Sequence, residues 1–242
     1  MIDRTESVKT ADGMMEVFTT RPNGNGPFPV VLQIMDGLGM REELREHARR
    51  TASWGYYVVA PDLYYRSGLK GPLSTDEAGM KVIMQAVKDV TDARVKSDID
   101  HVLASVEKDR TARKAKFGVY GFCMGGRLTL VLAQAYGDRV AAGASIHPGA
   151  LAVDTPQSPH RHLNKVKAEL YFGIADKDAM ATPEQMAELE KALKARKVNY
   201  QLEWHPGALH GYMMSSRAGV YNRDAAEKVW GRMESLFIRR LK

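Results

Sequence analysis

The chain has 242 residues, of which 44% are hydrophobic and 26% are charged. These fractions are ordinary for a globular protein and exclude the disordered and fibrous classes. The formal net charge is +6, but the basic residues are spread along the chain, so we expect no nucleic-acid partner.

The amino terminus and the single cysteine bear on the cellular compartment. The opening stretch MIDRTESVKT has no apolar core of the kind that a signal peptide needs. No uncharged stretch is long enough for a membrane span. One cysteine cannot form an internal disulfide, which is typical of a reducing compartment. We therefore expect a cytoplasmic protein that has no membrane partner.

The first half of the chain predicts a hairpin followed by buried strands that alternate with helices. The hairpin turns at Ala11-Asp12-Gly13. Ser74 and Glu77 have the spacing of a capping box, which indicates a helix start. The other predicted elements are a strand over 30–35, a helix over 41–54, a strand over 56–66 and a helix after Thr91.

The second half repeats the alternation of strands and helices. Thr182, Pro183 and Gln185 predict a capped helix start. The remaining elements are strands over 116–121, 140–149, 167–178 and 200–211, and helices over 124–136 and from Asp224. Strands separated by helices favour an α/β fold, with a mostly parallel central sheet and helices on both faces. We predict one domain over residues 1–242, with its site at the carboxyl ends of the strands.

The only cysteine lies in the stretch VYGFCMGG, where a predicted strand changes to a predicted helix. Gly121, Cys123 and Gly125 form the G-x-C-x-G pattern of a nucleophile elbow. In such a turn the central residue is strained, and a side chain two positions before or after it would collide with the backbone. A thiol at the start of a helix also ionises more readily. We therefore predict Cys123 as a nucleophile; the alternative is a buried structural cysteine.

A nucleophile needs a base, and the base needs an acid that orients it. In this kind of fold the acid comes before the histidine along the chain. Asp176 and Asp178 follow the strand ELYFGI, and His205 and His210 follow the strand YQLEW. We favour Asp176 over Asp178 as the acid. We favour His210 over His205, because Gly211 gives its loop backbone freedom. The alternative role of both aspartates is to form the turn before the next helix.

Four motifs together resemble the dienelactone hydrolase family of α/β-hydrolases: GFCMGG, FGIADKD, GALHGY and PDLYYR. The resemblance extends over nearly the whole chain. It implies an α/β-hydrolase fold and a Cys-His-Asp triad formed by Cys123, His210 and Asp176. It also implies an oxyanion hole formed by the backbone N–H groups of Gly37 and Met124.

One further site residue is expected from the same resemblance, and three others from their positions after strands. Asp36 lies where the family has a glutamate that holds the resting thiol, but its alternative role is to form the turn before Gly37. Arg66 is a candidate for holding a substrate carboxylate, or else for a surface ion pair. Tyr64 and His147 follow strands and are expected to line the cleft, although packing is the alternative for both.

The resemblance does not extend to the substrate-binding arginine that the family has a few residues after its catalytic histidine. In this chain the first arginine after His210 is Arg217. His160 and His162 lack a third ligand, so we expect no metal site and no cofactor.

The predicted function is the hydrolysis of small activated esters or lactones through a thioester intermediate. The alternatives are a non-catalytic scaffold that binds a small molecule, a thioesterase, or a redox-sensitive thiol protein. The only partner that we expect is a small-molecule ester or lactone. For the assembly we expect a monomer or a small homo-oligomer.

Overall fold

The structure is a computed structural model that describes residues 1–242. It divides into two compact units, Met1–Ala115 and Lys116–Lys242. The single domain over 1–242 stays a prediction. None of the helices combines the length and the apolar character that a membrane span requires.

The first unit contains the predicted hairpin and three helices. Its elements are β1 (Ile2–Lys9), β2 (Met14–Arg21), β3 (Phe28–Ile34), α1 (Glu42–Ser53), β4 (Tyr57–Pro61), α2 (Glu77–Asp89) and α3 (Asp92–Val106). β1 pairs with β2 and β2 with β4, both antiparallel, whereas β3 and β4 are parallel. The hairpin prediction is therefore confirmed, because Lys9 lies opposite Met14 across its turn.

The start of α2 differs from the prediction. The side chain of Asp76 caps this helix by accepting a hydrogen bond from the Gly79 N–H at 2.7 Å. The hydroxyl of Ser74 instead accepts a hydrogen bond from the N–H of Asp76 at 3.3 Å. The capping-box prediction at Ser74 is therefore wrong by two residues. The carboxylate of Asp76 reaches the helix N–H and also favours the positive end of the helix dipole.

The second unit consists of parallel strands connected by helices. Its strands are β5 (Ala112–Phe122), β6 (Val140–Ile146), β7 (Glu169–Lys177) and β8 (Tyr200–Leu209); β5 begins before the boundary between the units. Its α-helices are α4 (Met124–Tyr136), α5 (Pro183–Ala195) and α6 (Arg223–Leu241). Three single-turn helices cover Gly137–Arg139, Pro159–Arg161 and Leu163–Lys165. The capping box predicted at Thr182 and Gln185 is confirmed, as is the α/β class with mostly parallel pairing.

The parallel pairing of β5 to β8 explains where the site lies in the second unit. The carboxyl ends of parallel strands meet at one edge of the sheet. Each of the four strands is followed at once by a residue with a titratable side chain: Cys123, His147, Asp178 and His210. Lys177 pairs with Leu209, so Asp178 and His210 are the next residues on neighbouring strands.

Candidate active site

Cys123 lies at a strained turn between β5 and α4. Its backbone φ is 53° and ψ is −113°, a conformation that L-residues rarely adopt. A Cβ atom on Gly121 would overlap the carbonyl of Gly125, and one on Gly126 would lie 2.9 Å from the Ile146 carbonyl oxygen. The predicted turn is therefore confirmed. Cys123 is neither fully buried nor fully exposed.

His210 lies in the tight turn that ends β8. The N–H of Tyr212 donates to the carbonyl of Leu209 at 3.1 Å, and Gly211 between them has a φ of 94°. Only glycine adopts such a φ without strain, which is why this turn contains Gly211. The guanidinium of Arg217 donates to the carbonyl of His210 at 3.3 Å. The sequence analysis did not identify this role of Arg217, because a contact between a side chain and a carbonyl seven residues away has no sequence motif.

Asp178 is the carboxylate that orients His210. The Nδ1 atom of His210 and Oδ2 of Asp178 are 2.6 Å apart, and the other oxygen of Asp178 accepts from the Met180 N–H at 2.9 Å. The side chain of Asp178 is only 1% exposed. These contacts fix the carboxylate on the Nδ1 side of the imidazole.

The prediction of Asp176 as the partner of His210 is therefore wrong. β7 continues through Asp176 to Lys177, and its pairing with β8 is irregular between Ala175 and Lys177. The side chain of Asp176 is exposed at this irregularity, whereas Asp178 is the first residue after the strand. The sequence favours Asp176, but the end of the strand selects Asp178 instead.

The charge state of His210 is set by its two neighbours. Burial disfavours the imidazolium, but the hydrogen bond to the Asp178 carboxylate and the neighbouring Cys123 outweigh burial and raise the pKa of His210 from 6.5 to about 10. Nε2 of His210 is buried and has no hydrogen-bond partner. Hydrogen bonds at catalytic sites often form fully only when a substrate binds.

Met124 is the first residue of α4. The first N–H groups of a helix have no intrahelical acceptor and can stabilise an anion. The position of Met124 directly after the elbow is thus compatible with its predicted role as an oxyanion donor, which stays a prediction.

Comparison with known proteins identifies the family of this chain. The model of the dienelactone hydrolase family matches residues 15–241. The chain belongs to the dienelactone hydrolase family. A relative from Methylorubrum extorquens, named as a carboxymethylenebutenolidase, is 31% identical over 93% of this chain and 77% of its own length. A relative of the same name from Synechocystis is also 31% identical, over 93% of this chain and 92% of its own length.

A solved structure gives the same result for the fold. The dienelactone hydrolase from Klebsiella pneumoniae superposes with a TM-score of 0.87 at 25% identity, and the match covers 98% of each chain. The chain therefore has the α/β-hydrolase fold and is a carboxylic ester hydrolase of the dienelactone hydrolase family.

Asp36 and Tyr64 stabilise the loop after β3 in this family member. The carboxylate of Asp36 accepts two hydrogen bonds from Arg41, at 2.7 and 2.9 Å, and one from the Leu38 N–H at 3.0 Å. Tyr64 is 2% exposed, and its hydroxyl donates to the carbonyl of Gly37 at 2.9 Å. The structure therefore supports the turn-forming alternative for Asp36, and the predicted cleft position of Tyr64 is wrong. The oxyanion role of Gly37 stays a prediction.

Arg66 is engaged with two carboxylates of the first unit. Its terminal nitrogens donate to Asp98 at 2.7 and 2.8 Å, and its Nε donates to Asp12 at 2.7 Å. The side chain of Asp98 is only 1% exposed, so the guanidinium compensates a buried charge. The ion-pair alternative is therefore confirmed, and the prediction of Arg66 as a substrate ligand is withdrawn.

His147 lies beside His210 and is 1% exposed. Such a buried ring does not line an open cleft, so the predicted substrate contact is wrong. His205 is equally buried and forms a hydrogen bond with the Tyr171 hydroxyl at 3.1 Å. The packing of His205 agrees with the preference for His210 as the base.

The bond between His210 and Asp178 predicts an unusual titration. Asp178→Asn should lower the pKa of His210 from about 10 towards 6.5, because a neutral amide stabilises the imidazolium less. Asp176→Asn should leave it unchanged. NMR titration of labelled histidine rings measures the pKa of His210 in both variants. An unaltered pKa of His210 in Asp178→Asn would contradict the assignment of Asp178 as its partner.

The same pair predicts how stability depends on pH. Because the pKa of His210 is raised on folding, its stabilising contribution is complete below about pH 6.5 and is lost as the pH rises through about 10. Urea unfolding of the wild type should therefore show a steeper loss of stability across this range than unfolding of Asp178→Asn. Equal slopes for the two proteins would argue against the pair.

The ion pair of Arg66 predicts a loss of stability rather than of substrate binding. Arg66→Ala leaves the carboxylate of Asp98 buried and uncompensated, which should cost about 3 kcal/mol in urea unfolding. Arg161→Ala removes an exposed pair with Asp154 and should change stability by less than about 0.5 kcal/mol. Addition of Asp98→Asn to the Arg66 variant should restore part of the loss, and a stable Arg66→Ala protein would refute the role.

Proposed function

We propose that this protein hydrolyses small activated esters or lactones through a covalent thioester on Cys123. His210 is the proton carrier, and Asp178 orients it. The observation that carries the proposal is the 2.6 Å contact between Nδ1 of His210 and the buried carboxylate of Asp178. This contact leaves Nε2 as the imidazole nitrogen available to the sulfur at the elbow.

In the first half of the reaction the thiolate of Cys123 attacks the carbonyl carbon and forms a C–S bond. The carbonyl electrons move onto oxygen, and the N–H of Met124 is the proposed donor to this oxyanion. One such donor is worth on the order of 3 kcal/mol in the transition state. The intermediate then collapses to a thioester. The bond to the leaving oxygen breaks, and this oxygen takes the proton of the His210 imidazolium.

In the second half, the neutral His210 removes a proton from water while the water oxygen attacks the thioester carbonyl. Collapse of this intermediate releases the carboxylic acid, and the electrons of the C–S bond return to sulfur. The thiolate and the imidazolium are thereby restored. With a lactone, acid and leaving hydroxyl are parts of one ring-opened product.

The nucleophile limits the class of substrate. A thiolate is a better leaving group than an alkoxide, so the first intermediate of an ordinary alkyl ester reverts to starting material. Enol lactones and aryl esters release a stabilised oxyanion and can proceed. The carboxymethylenebutenolidase name of the relatives supports a lactone, but the engagement of Arg66 removes the expected ligand for its carboxylate. The proposed location is the cytoplasm, where a catalytic thiol stays reduced.

A panel of aryl esters and enol lactones tests the nucleophile. Cys123→Ala and alkylation by iodoacetamide should each abolish hydrolysis, because no thioester can form. Exposed Met180→Ala is the control for a substitution near the site and should keep measurable turnover. Undiminished hydrolysis in the Cys123 variant would reject the mechanism.

The two aspartates are distinguished by the same assay. Asp178→Asn should lower kcat by about three orders of magnitude or more, because an amide stabilises the wrong tautomer of the imidazole. Asp176→Asn should retain kcat within about twofold, since its exposed side chain orients nothing. If only the Asp176 variant loses activity, the proposed triad is incorrect.

A further inference from the structure

His147 has an unusual backbone for a residue that is not a glycine. It follows β6 directly, and its φ is 35°. Left-handed backbone at a bulky residue is strained and persists only where the surroundings fix it. Here the N–H of His147 donates to the carbonyl of Gly173 at 2.8 Å, which ties the strained residue to β7.

The ring of His147 contacts both sides of the active site. It stacks on Phe122, the residue before Cys123, with centroids 5.8 Å apart and an interplanar angle of 27°. It meets His210 edge-to-face at 5.3 Å and 70°. Its third neighbour is Tyr212 at 5.3 Å. The imidazole of His147 therefore lies between the end of the nucleophile strand and the ring of the base.

Packing of this kind limits the rotation of His210. The hydrogen bond to Asp178 fixes one ring nitrogen but leaves the imidazole able to pivot about that bond. The buried ring of His147 lies against the side of the His210 ring and restricts this freedom, because side chains in a packed interior have little space to move. Small misplacements of a catalytic group are costly to the rate.

We propose that His147 is a positioning residue that holds the His210 imidazole in line with Cys123. This inference rests on the proposed function of Cys123 and His210. His147 acts through its ring rather than through contact with substrate, because it is buried. A phenyl ring of similar shape should therefore replace it, whereas a methyl group should not.

The titration of His210 provides a readout that a purely structural role would not change. The groups that act on it are the carboxylate of Asp178, the sulfur of Cys123 and the neighbouring ring of His147; Arg217 meets only its backbone carbonyl. Asp178 and Cys123 raise its pKa, and burial lowers it. If the ring pivots away from its two partners, the pKa falls. If removal of His147 only admits water, the pKa rises.

The experiment compares His147→Ala and His147→Phe with His205→Ala as the matched control. His205 is an equally buried ring that packs on Tyr212. The rate of Cys123 alkylation by iodoacetamide is measured against pH, with kcat, KM and the melting temperature of each variant. Alkylation needs the thiolate but no ester, so it remains informative even if no hydrolysis is found.

The rate of alkylation should change at the pH where His210 loses its proton, which is about 10 in the wild type. For His147→Ala we expect this upper step of the profile to move down by about one pH unit. We also expect kcat to fall roughly tenfold or more, with KM within about twofold. His147→Phe should restore both, and His205→Ala should alter neither. An unchanged or upward-shifted step in His147→Ala would overturn the proposal, as would equal losses in the His205 control. Hydrolysis that survives Cys123→Ala would instead refute the proposed function.

Discussion

The left-handed backbone at Cys123 is the constraint from which the rest of the site follows. The backbone at this position has a φ of 53°, and the turn needs glycine at position 121, because a Cβ there would overlap the backbone of Gly125. The turn presents the sulfur at the carboxyl edge of parallel strands and starts α4 directly behind it. In the proposed mechanism the base and its acid then come from the ends of nearby strands, where His210 and Asp178 lie.

The residues of this site in the second unit each lie directly after one of its four strands. Asp178 holds one nitrogen of His210, and His147 packs against the side of the same ring. The cost of the arrangement is visible in the backbone, since both Cys123 and His147 have positive φ values. Strain of this kind is retained at functional sites because the surrounding structure fixes it.

The sequence predicted best what depends on local chemistry. The glycines around Cys123 and the capping box at Thr182 each act within a few residues, so their patterns are readable along the chain. The choice between Asp176 and Asp178 depends instead on an irregular strand pairing. A shift of one residue reverses the face on which a strand side chain lies, and no motif in a single sequence records such a shift.

Side chains that pair across long stretches of sequence could not be predicted from the sequence either. Arg66 and Asp98 are thirty-two positions apart, and nothing in their local patterns marks them as a pair. Arg66 was a candidate substrate ligand because it follows a strand, and the structure pairs it with the buried carboxylate of Asp98 instead. An arginine near a predicted site can bind a substrate only where no other residue already binds its side chain.

The central claim is that the sulfur of Cys123 carries the acyl group during turnover. The most direct test is mass spectrometry of the protein after rapid acid quenching during turnover of a slow aryl ester. The account predicts a protein mass increased by one acyl group, and this group lies on the peptide that contains Cys123. The acyl group should be absent once water has had time to hydrolyse the thioester. An acyl label on another residue, during turnover that needs no thiol, would contradict it.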